Sequence, residues 1–196
     1  CLAIITVWTK IEQNRITRFL ASFYTTIIRG VPELLVIYLI FFGGNAVVMK
    51  VAKIFGYNGY IELNALTIAT IAIAVISATY SSEVLRAAYL SISKGQIEAA
   101  KALGMNRFSI FIKVLCPQVI RYALPGIGNV WQITLKDTSL ISVTGLVEIM
   151  RQSYVAAGST RDPLFFYSFA AVLYLLLTFL SMKLINRLEA RYSRGY

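Results

Sequence analysis

Long uncharged runs separated by short charged segments set the pattern of this chain of 196 residues. Residues 63–80 carry no charge, and neither do residues 164–182. Because an α-helix rises 1.5 Å per residue, about 20 apolar residues cross the roughly 30 Å hydrocarbon core of a bilayer. The pattern therefore predicts two membrane-spanning helices here, the first of which continues as a helix through Tyr89.

Two less uniform runs predict two more spanning helices. Pro32 fits the first turn of a helix, and the residue before a proline resists the α conformation. A break near Val31 should therefore precede a helix over residues 32–49. Residues 118–143 mix apolar side chains with proline, glycine and amides, which are tolerated where other helices surround them. We expect an inner, pathway-lining helix there.

The remaining segments are shorter. Residues 1–8 are apolar, and we expect them to be the truncated end of an earlier spanning helix rather than a signal peptide. The pattern also predicts a cytoplasmic loop over 9–18, an interfacial helix over 19–29, a loop over 50–62, and an external segment over 144–163 with a surface helix over 145–154.

Residues 94–117 are the one long polar and small interruption in the chain. Good helix formers fill residues 96–103, Ser93 is a plausible N-cap, and Gly104 lies where a glycine ends many helices. A helix this short is not stable alone, so it needs a partner to pack on. A second, amphipathic helix should follow and end at Pro117.

Composition and charge strengthen the membrane assignment. The chain is 58% apolar and 14% charged, with a mean hydropathy of +0.69, whereas soluble domains contain about 25% charged residues. The net charge of +10 lies in short loops, so it indicates membrane orientation rather than a nucleic-acid partner. With no histidine and two cysteines, neither a catalytic nor a metal site is expected.

The basic residues are distributed unequally between the two sides of the predicted membrane. The segments 9–29, 86–121 and 183–196 contain 14 Lys and Arg residues, and the segments 43–62 and 148–163 contain 4. Cytoplasmic loops carry the excess of Lys and Arg. Residues 94–117 and the C-terminus are therefore predicted to be cytoplasmic.

Lys136 and Asp137 lie deep inside the inner helix predicted over residues 118–143. Ionised groups at such depth are costly unless they are paired or hydrated, so they mark either a substrate or gating site or a structural intramembrane pair. The sequence leaves both alternatives open.

Two further pairs of opposite charge lie near predicted membrane boundaries. Arg29 and Glu33 are four residues apart, and they form either a boundary ion pair or part of a gate. Glu83 and Arg86 are three apart, and they form either an interfacial ion pair or a structural clamp on the neighbouring polar stretch.

The spacing within residues 98–117 carries a family resemblance. The pattern resembles the EAA loop of bacterial ABC importer permeases. Glu-Ala-Ala is followed by three residues, Gly104, nine further residues and Val-Leu-Cys-Pro, in which Val114 and Cys116 replace the usual Ile and Leu. Four further motifs in order resemble the polar amino-acid uptake subgroup, above all the histidine/arginine/lysine/ornithine and opine permeases: Arg29-Gly30-Val31-Pro32, Lys94-Gly95-Gln96, Arg121-Tyr122-Ala123-Leu124-Pro125 and Lys136-Asp137-Thr138-Ser139-Leu140.

The resemblance implies an all-α polytopic bundle of the type I ABC importer (MetI-like) kind. About four complete transmembrane helices and a truncated first one would form a single permease domain over residues 1–196, with residues 94–117 as its coupling loop. The short helix would dock on a separate ATPase that binds ATP and magnesium, because this chain has no phosphate-loop motif. The implied coupling residues are Gln96, Glu98, Ala99, Ala100, Leu103 and Gly104.

The resemblance also implies partners in the bacterial inner membrane. A second permease, homologous or identical, would pair with this chain, and a periplasmic or lipid-anchored binding protein would deliver an amino acid or opine. Lys136 could meet the carboxylate of that substrate and Asp137 its ammonium group, with hydrogen bonds from Thr138 and Ser139.

Two other classes of protein compete with this interpretation. A secondary transporter or channel could use Lys136 and Asp137 without an ATPase, but it predicts an inverted repeat that is not visible and leaves residues 94–117 without a role. An intramembrane enzyme would need catalytic groups, and the chain has no histidine, no aspartate pair and no G-x-S-x-G motif.

Overall fold

The computed structural model describes residues 1–11, 14–57, 59 and 64–193, and these residues form helices and turns without a β-strand. In chain order, the helical segments are α1 (Leu2–Ile11), α2 (Arg15–Gly30), α3 (Glu33–Ile54), α4 (Ala65–Leu90), α5 (Lys94–Ala102), α6 (Arg107–Ile110), a π-helical segment (Phe111–Leu115), α7 (Cys116–Asp137), a 3-10 segment (Thr138–Thr144), α8 (Ile149–Thr160) and α9 (Pro163–Ser193).

Four helical stretches in the described part of the chain are long and apolar enough to cross a membrane: Glu33–Ile54, Ala65–Leu90, Arg107–Thr144 and Pro163–Tyr192. They coincide with the four spanning helices predicted from the sequence. Helix α1 is apolar but has only 10 residues.

Several predicted boundaries were wrong. Most of the loop expected over residues 9–18 is helical, because α1 runs to Ile11 and α2 begins at Arg15, where the Asn14 side chain accepts a hydrogen bond from the Ile16 N–H. Helix α3 continues to Ile54, through the first part of the loop expected over 50–62. Residues 55–57 and 59 of that loop are non-helical, as predicted, and residues 58 and 60–62 lie outside the described part of the chain.

The surface helix predicted to start at residue 145 begins four residues later, at Ile149. Gly145 adopts a left-handed conformation with φ +84° and ends the 3-10 segment, so no helix can run through it from residue 145. Glu148 then caps α8, because its carboxylate accepts hydrogen bonds from the N–H groups of Met150 and Arg151 at 2.7 and 2.5 Å.

Pro117 does not end a helix, contrary to the prediction. The chain stays helical from Arg107 to Thr144. At the end of the π-helical segment, the Cys116 N–H donates to the carbonyl of Phe111, five residues back. Proline cannot donate to the carbonyl four residues back, and its ring clashes with that carbonyl in a regular α-helix. The wider π turn relieves this conflict just before Pro117, so the helix continues.

One compact unit comprises the described residues of 1–25, 78–131 and 179–193. Within it, a Cβ atom on Gly126 of α7 would lie 2.5 Å from Cγ1 of Val84 in α4. A Cβ atom on Gly128 would lie 2.9 Å from Cγ2 of Ile185 in α9. Small residues at helix crossings let backbones pack closely in a membrane. The glycines that suggested an inner helix are therefore packing positions.

The other compact unit comprises the described residues of 26–77 and 132–178. Within it, the 3-10 segment packs against both α3 and α8. Val36 and Ile37 of α3 and Ile141 of the 3-10 segment are buried. Helices α2, α4, α7 and α9 contribute residues to both units, and the prediction of a single domain over residues 1–196 stays a prediction.

Candidate functional site

Helix α5 begins and ends close to the predicted positions. Ser93 occupies the N-cap position, although its side chain makes no capping hydrogen bond. At the other end, the Gly104 N–H donates to the Lys101 carbonyl at 2.9 Å and the Met105 N–H donates to the Ala100 carbonyl at 3.1 Å. These two bonds define a Schellman motif, which requires the left-handed conformation that Gly104 adopts, with φ +74°.

Two contacts hold α5 to its own chain. Ala100 is only 5% exposed, so it packs inside this unit. The Gln118 side-chain amide donates to the Gln96 side-chain oxygen at 2.6 Å and to the Val114 carbonyl at 2.9 Å. Helix α5 also packs against α6 and the π-helical segment. Hence α5 is connected to the beginning of α7.

The rest of α5 faces solvent. Glu98, Ala99, Ala102 and Gly104 are exposed, and Leu103 is 82% exposed. Ala100 was expected to let a partner approach closely. That expectation is wrong, because Ala100 is buried against its own chain and does not lie on the solvent-exposed face of α5. Ala99 and Ala102 keep the exposed face low instead. The proposed coupling roles of Gln96, Glu98, Ala99, Leu103 and Gly104 stay predictions.

Glu83 pairs with a residue that sequence reasoning did not consider. The Lys10 ammonium group in α1 donates hydrogen bonds to a Glu83 carboxylate oxygen and, at 2.6 Å, to the Thr25 hydroxyl in α2. The Lys10 side chain is 7% exposed and that of Glu83 is 29% exposed. Arg86 Nε lies 3.5 Å from the other Glu83 oxygen. The clamp therefore joins α1, α2 and α4, and it does not reach the polar stretch at 94–117.

Arg29 and Glu33 lie on opposite sides of a bend. Arg29 belongs to α2 and Glu33 is the first residue of α3, with Pro32 between them in an extended conformation (ψ 133°). The two residues therefore do not belong to one continuous helix, and the boundary ion pair between them stays a prediction. A gating role for either residue stays a prediction.

Lys136 and Asp137 end α7 but point differently. Asp137 is buried, at 9% exposed, whereas Lys136 is exposed. Consecutive residues on an α-helix are separated by about 100°, so a single small ligand would not easily meet both. The two residues form no salt bridge with each other in the part of the chain that the structure describes.

The hydroxyl protons of Thr138 and Ser139 are used within the helix. Thr138 Oγ1 donates to the Leu135 carbonyl and Ser139 Oγ donates to the Lys136 carbonyl, both at 2.6 Å. Their predicted role as hydrogen-bond donors to a substrate is therefore weakened, because each proton already has an acceptor. They retain lone pairs with which to accept.

A polar network around Tyr174 was missed by the sequence analysis. The Tyr174 hydroxyl donates to the Glu148 carboxylate at 3.1 Å. Glu148 also caps α8. The network thus connects α9 with the first turn of α8 within one unit. No sequence signal could have found it, because Glu148 and Tyr174 are 26 residues apart in different helices.

Replacing Gly104 tests the left-handed cap of α5. Gly104→Val should destabilise the cap by about 1–2 kcal/mol because of its backbone conformation alone, since nothing lies within 4 Å of the added Cβ. Gly104→Asn should be tolerated better. Amide hydrogen exchange of Met105 in detergent should be roughly tenfold faster in the valine variant. Gly95→Ala, at an ordinary helical position, serves as the control, and equal exchange in the Val and Asn variants would contradict the cap.

Removing the Lys10 ammonium group tests the clamp on Glu83. Lys10→Met should lower the free energy of unfolding. Breaking a fully buried pair costs ~3–5 kcal/mol, and the loss here should be smaller because Glu83 is still close to Arg86 and is partly exposed to solvent. Arg86→Met should cost at most about 1 kcal/mol. Thermal unfolding in detergent measures both changes. Lys10→Met combined with Glu83→Gln should recover most of the loss; a double variant no more stable than Lys10→Met would contradict the pairing.

Known proteins resemble this chain over nearly its whole length. The family model described as "Binding-protein-dependent transport system inner membrane component" matches residues 2–194. An octopine transport system permease protein of Rhizobium radiobacter is 51% identical over 175 residues, covering 89% of this chain and 74% of that protein. The histidine/lysine/arginine/ornithine transport system permease protein of Escherichia coli (strain K12) is 39% identical over 186 residues, covering 95% of this chain and 81% of that protein.

The fold matches as well. A chain from the crystal structure of an amino acid ABC transporter with histidines superposes with a TM-score of 0.80 and 29% identity, covering 97% of this chain and 83% of that chain. The all-helical, polytopic permease fold expected from the sequence is thereby confirmed. This chain therefore belongs to the family of inner-membrane components of binding-protein-dependent transport systems, and it is a multi-pass permease subunit.

Proposed function

We propose that this permease belongs to an ATP-driven importer of opines or basic amino acids, and that the exposed face of α5 docks on a separate ATP-hydrolysing subunit. The observation that carries the proposal is the form of α5. It is a nine-residue helix, too short to be stable alone, held from one side by Ala100 and Gln96 and open to solvent on the other.

The exposed face of α5 has the composition of a protein contact. Ala99 and Ala102 allow close approach, Glu98 provides a charge, and the Leu103 side chain provides an apolar anchor. Burying a leucine side chain contributes about 1.5–3 kcal/mol. A partner that covers this face would supply what a short polar helix lacks. Closure of the ATPase dimer on ATP and magnesium would then pull on α5.

Helix α7 offers the path by which that movement reaches the membrane interior. Gln118 holds α5 near the beginning of α7, and Lys136 lies 18 residues further along the same helix, about 27 Å away at 1.5 Å per residue. Pro125 interrupts the hydrogen-bond ladder between them, and the π-helical segment precedes it. Rocking of such helices between two arrangements is a common form of alternating access.

The assembly follows from the same reasoning. An ATPase dimer presents two docking sites, so a second permease, identical or homologous, would provide the other coupling helix. The excess of Lys and Arg in the segments that include α5 and the C-terminus supports a cytoplasmic location for both. A binding protein would deliver the substrate on the other side. Its class is proposed from relatives named for octopine and for histidine, lysine, arginine and ornithine.

Leu103→Asp tests the docking of α5. We expect it to abolish recovery of the ATPase with the purified permease and to reduce ATP-dependent uptake of labelled arginine or octopine at least tenfold, because a charge would replace the apolar anchor. Proteoliposomes containing the complex and its binding protein provide the measurement. Leu103 is so exposed that folding should be unaffected.

Phe55→Asp is the matched control. Phe55 is 85% exposed and follows α3, on the side predicted to be external, so it should leave ATPase recovery unchanged. If the Leu103→Asp variant retains both ATPase recovery and ATP-dependent uptake, the docking proposal is wrong.

A further inference from the structure

The side-chain amide of Gln118 joins the first turn of α7 to α5. Gln118 is half-buried, and its nitrogen, Nε2, makes two hydrogen bonds. One goes to the side-chain oxygen of Gln96 in α5 at 2.6 Å, and the other goes to the Val114 carbonyl at 2.9 Å. An amide nitrogen of this kind carries two protons. Both are therefore used, one within the helical stretch and one across to α5.

The bond to Val114 fixes the orientation of the Gln118 amide. A backbone carbonyl can only accept a hydrogen bond, so the nitrogen of the amide must face Val114, because the amide oxygen would be repelled there. The second proton on that nitrogen then needs an acceptor, and Gln96 presents its oxygen. The contact between α5 and α7 is thus directional, with Gln118 as the donor and Gln96 as the acceptor.

The covalent route from α5 to α7 passes through elements that can bend. After α5 the chain turns at Gly104 and forms the four-residue helix α6 and the π-helical segment Phe111–Leu115. Turns of π-helix are rare and occur frequently at functional sites. Pro117, which follows, has no N–H group to donate to the helix ladder. A displacement of α5 would therefore be partly absorbed along this route.

The contact between Gln118 and Gln96 bypasses that route. Gln118 lies beyond the π-helical segment and beyond Pro117, on the continuous α-helix that runs to Asp137. Gln96 and Ala100 are four residues apart and so share one face of α5, and Ala100 is buried. The contact therefore lies on the side of α5 that faces its own chain, and it leaves the exposed side free for a partner.

We propose that Gln118 is a positioning residue for coupling. Its amide ties α5 directly to α7, so that a displacement of α5 by the ATPase moves α7 instead of bending the π-helical segment. This inference rests on the proposed function, and it adds the side chain through which the movement passes. The role needs two protons on one atom, for a backbone carbonyl and for Gln96, and neither a carboxylate nor a hydroxyl group offers them.

Gln118→Glu tests the tether, because a carboxylate has nearly the same shape as the amide and can donate neither hydrogen bond. The permease–ATPase complex and its binding protein are placed in proteoliposomes, and labelled arginine or octopine taken up per ATP hydrolysed is measured. We expect this ratio to fall about fivefold, as for the loss of one hydrogen bond. Recovery of the ATPase with the purified permease should stay at the wild-type level, because the exposed face of α5 is unchanged.

Asn64→Asp is the matched control. It makes the same change from amide to carboxylate at an exposed position, where the side-chain oxygen can still accept the hydrogen bond from the Leu66 N–H. This variant should keep the wild-type uptake per ATP. A ratio that falls equally in the control and in Gln118→Glu would overturn the inference, because the loss would then not depend on the tether.

Reversing donor and acceptor provides the rescue. Gln118→Glu combined with Gln96→Lys should recover most of the uptake per ATP, because the new ammonium group can donate to the new carboxylate. A double variant whose ratio is no higher than that of Gln118→Glu would contradict the tether.

Amide hydrogen exchange measures the tether without the ATPase. In the purified permease in detergent, Gln118→Glu should make the amides of residues 98–102 exchange about fivefold faster than in the wild type. The double variant should restore their protection. Unchanged exchange in Gln118→Glu would overturn the tether. Faster exchange with unchanged uptake per ATP would mean that the bond only stabilises the fold, and it would overturn the positioning role.

The outcomes separate this inference from the function on which it rests. If the wild-type permease recovers the ATPase and takes up substrate with ATP, while Gln118→Glu keeps the wild-type ratio or loses ATPase recovery, the role of Gln118 is overturned and the importer stands. If the wild-type permease recovers no ATPase, or its uptake does not depend on ATP, the proposed function itself fails.

Discussion

A charged side chain that is buried away from water must find a partner, and much of this structure follows from how each buried charge meets that requirement. Lys10 meets it inside the chain, with Glu83 and Thr25, and thereby joins three helices. Glu148, which is half-buried, meets it with two backbone N–H groups and Tyr174. Asp137 does not meet it with any described residue. The charges of Lys10 and Glu148, which are satisfied internally, are therefore structural.

A short polar helix also needs a partner to be stable, and this explains why α5 is incomplete without one. A nine-residue polar helix with a leucine exposed at its end is incomplete in the isolated chain. Its connection to Gln118 and the continuous helix from Arg107 to Thr144 join this incomplete surface to the buried Asp137. The exposed face of α5 and the buried Asp137 thus lie along one connected stretch of chain.

Features that depend on local chemistry could be predicted from the sequence. The uncharged runs predicted the spanning helices, and the spacing of residues 98–117 predicted that a glycine ends α5, because the left-handed cap excludes most other residues. Features that depend on tertiary register could not. Lys10 and Glu83 are 73 residues apart, and the helix passes through Pro117 only because the preceding turn widens.

The central claim is that an ATP-hydrolysing subunit acts on this permease at α5. Cross-linking at residue 103 tests that claim most directly. Leu103→Cys would be introduced after Cys1 and Cys116 are changed to serine, and a thiol cross-linker would be applied to the complex in native membranes. The account predicts a cross-link to the ATPase whose yield changes when ATP binds, and none from Phe55→Cys. Absence of a cross-link at residue 103, or one equal to that from residue 55, would contradict it.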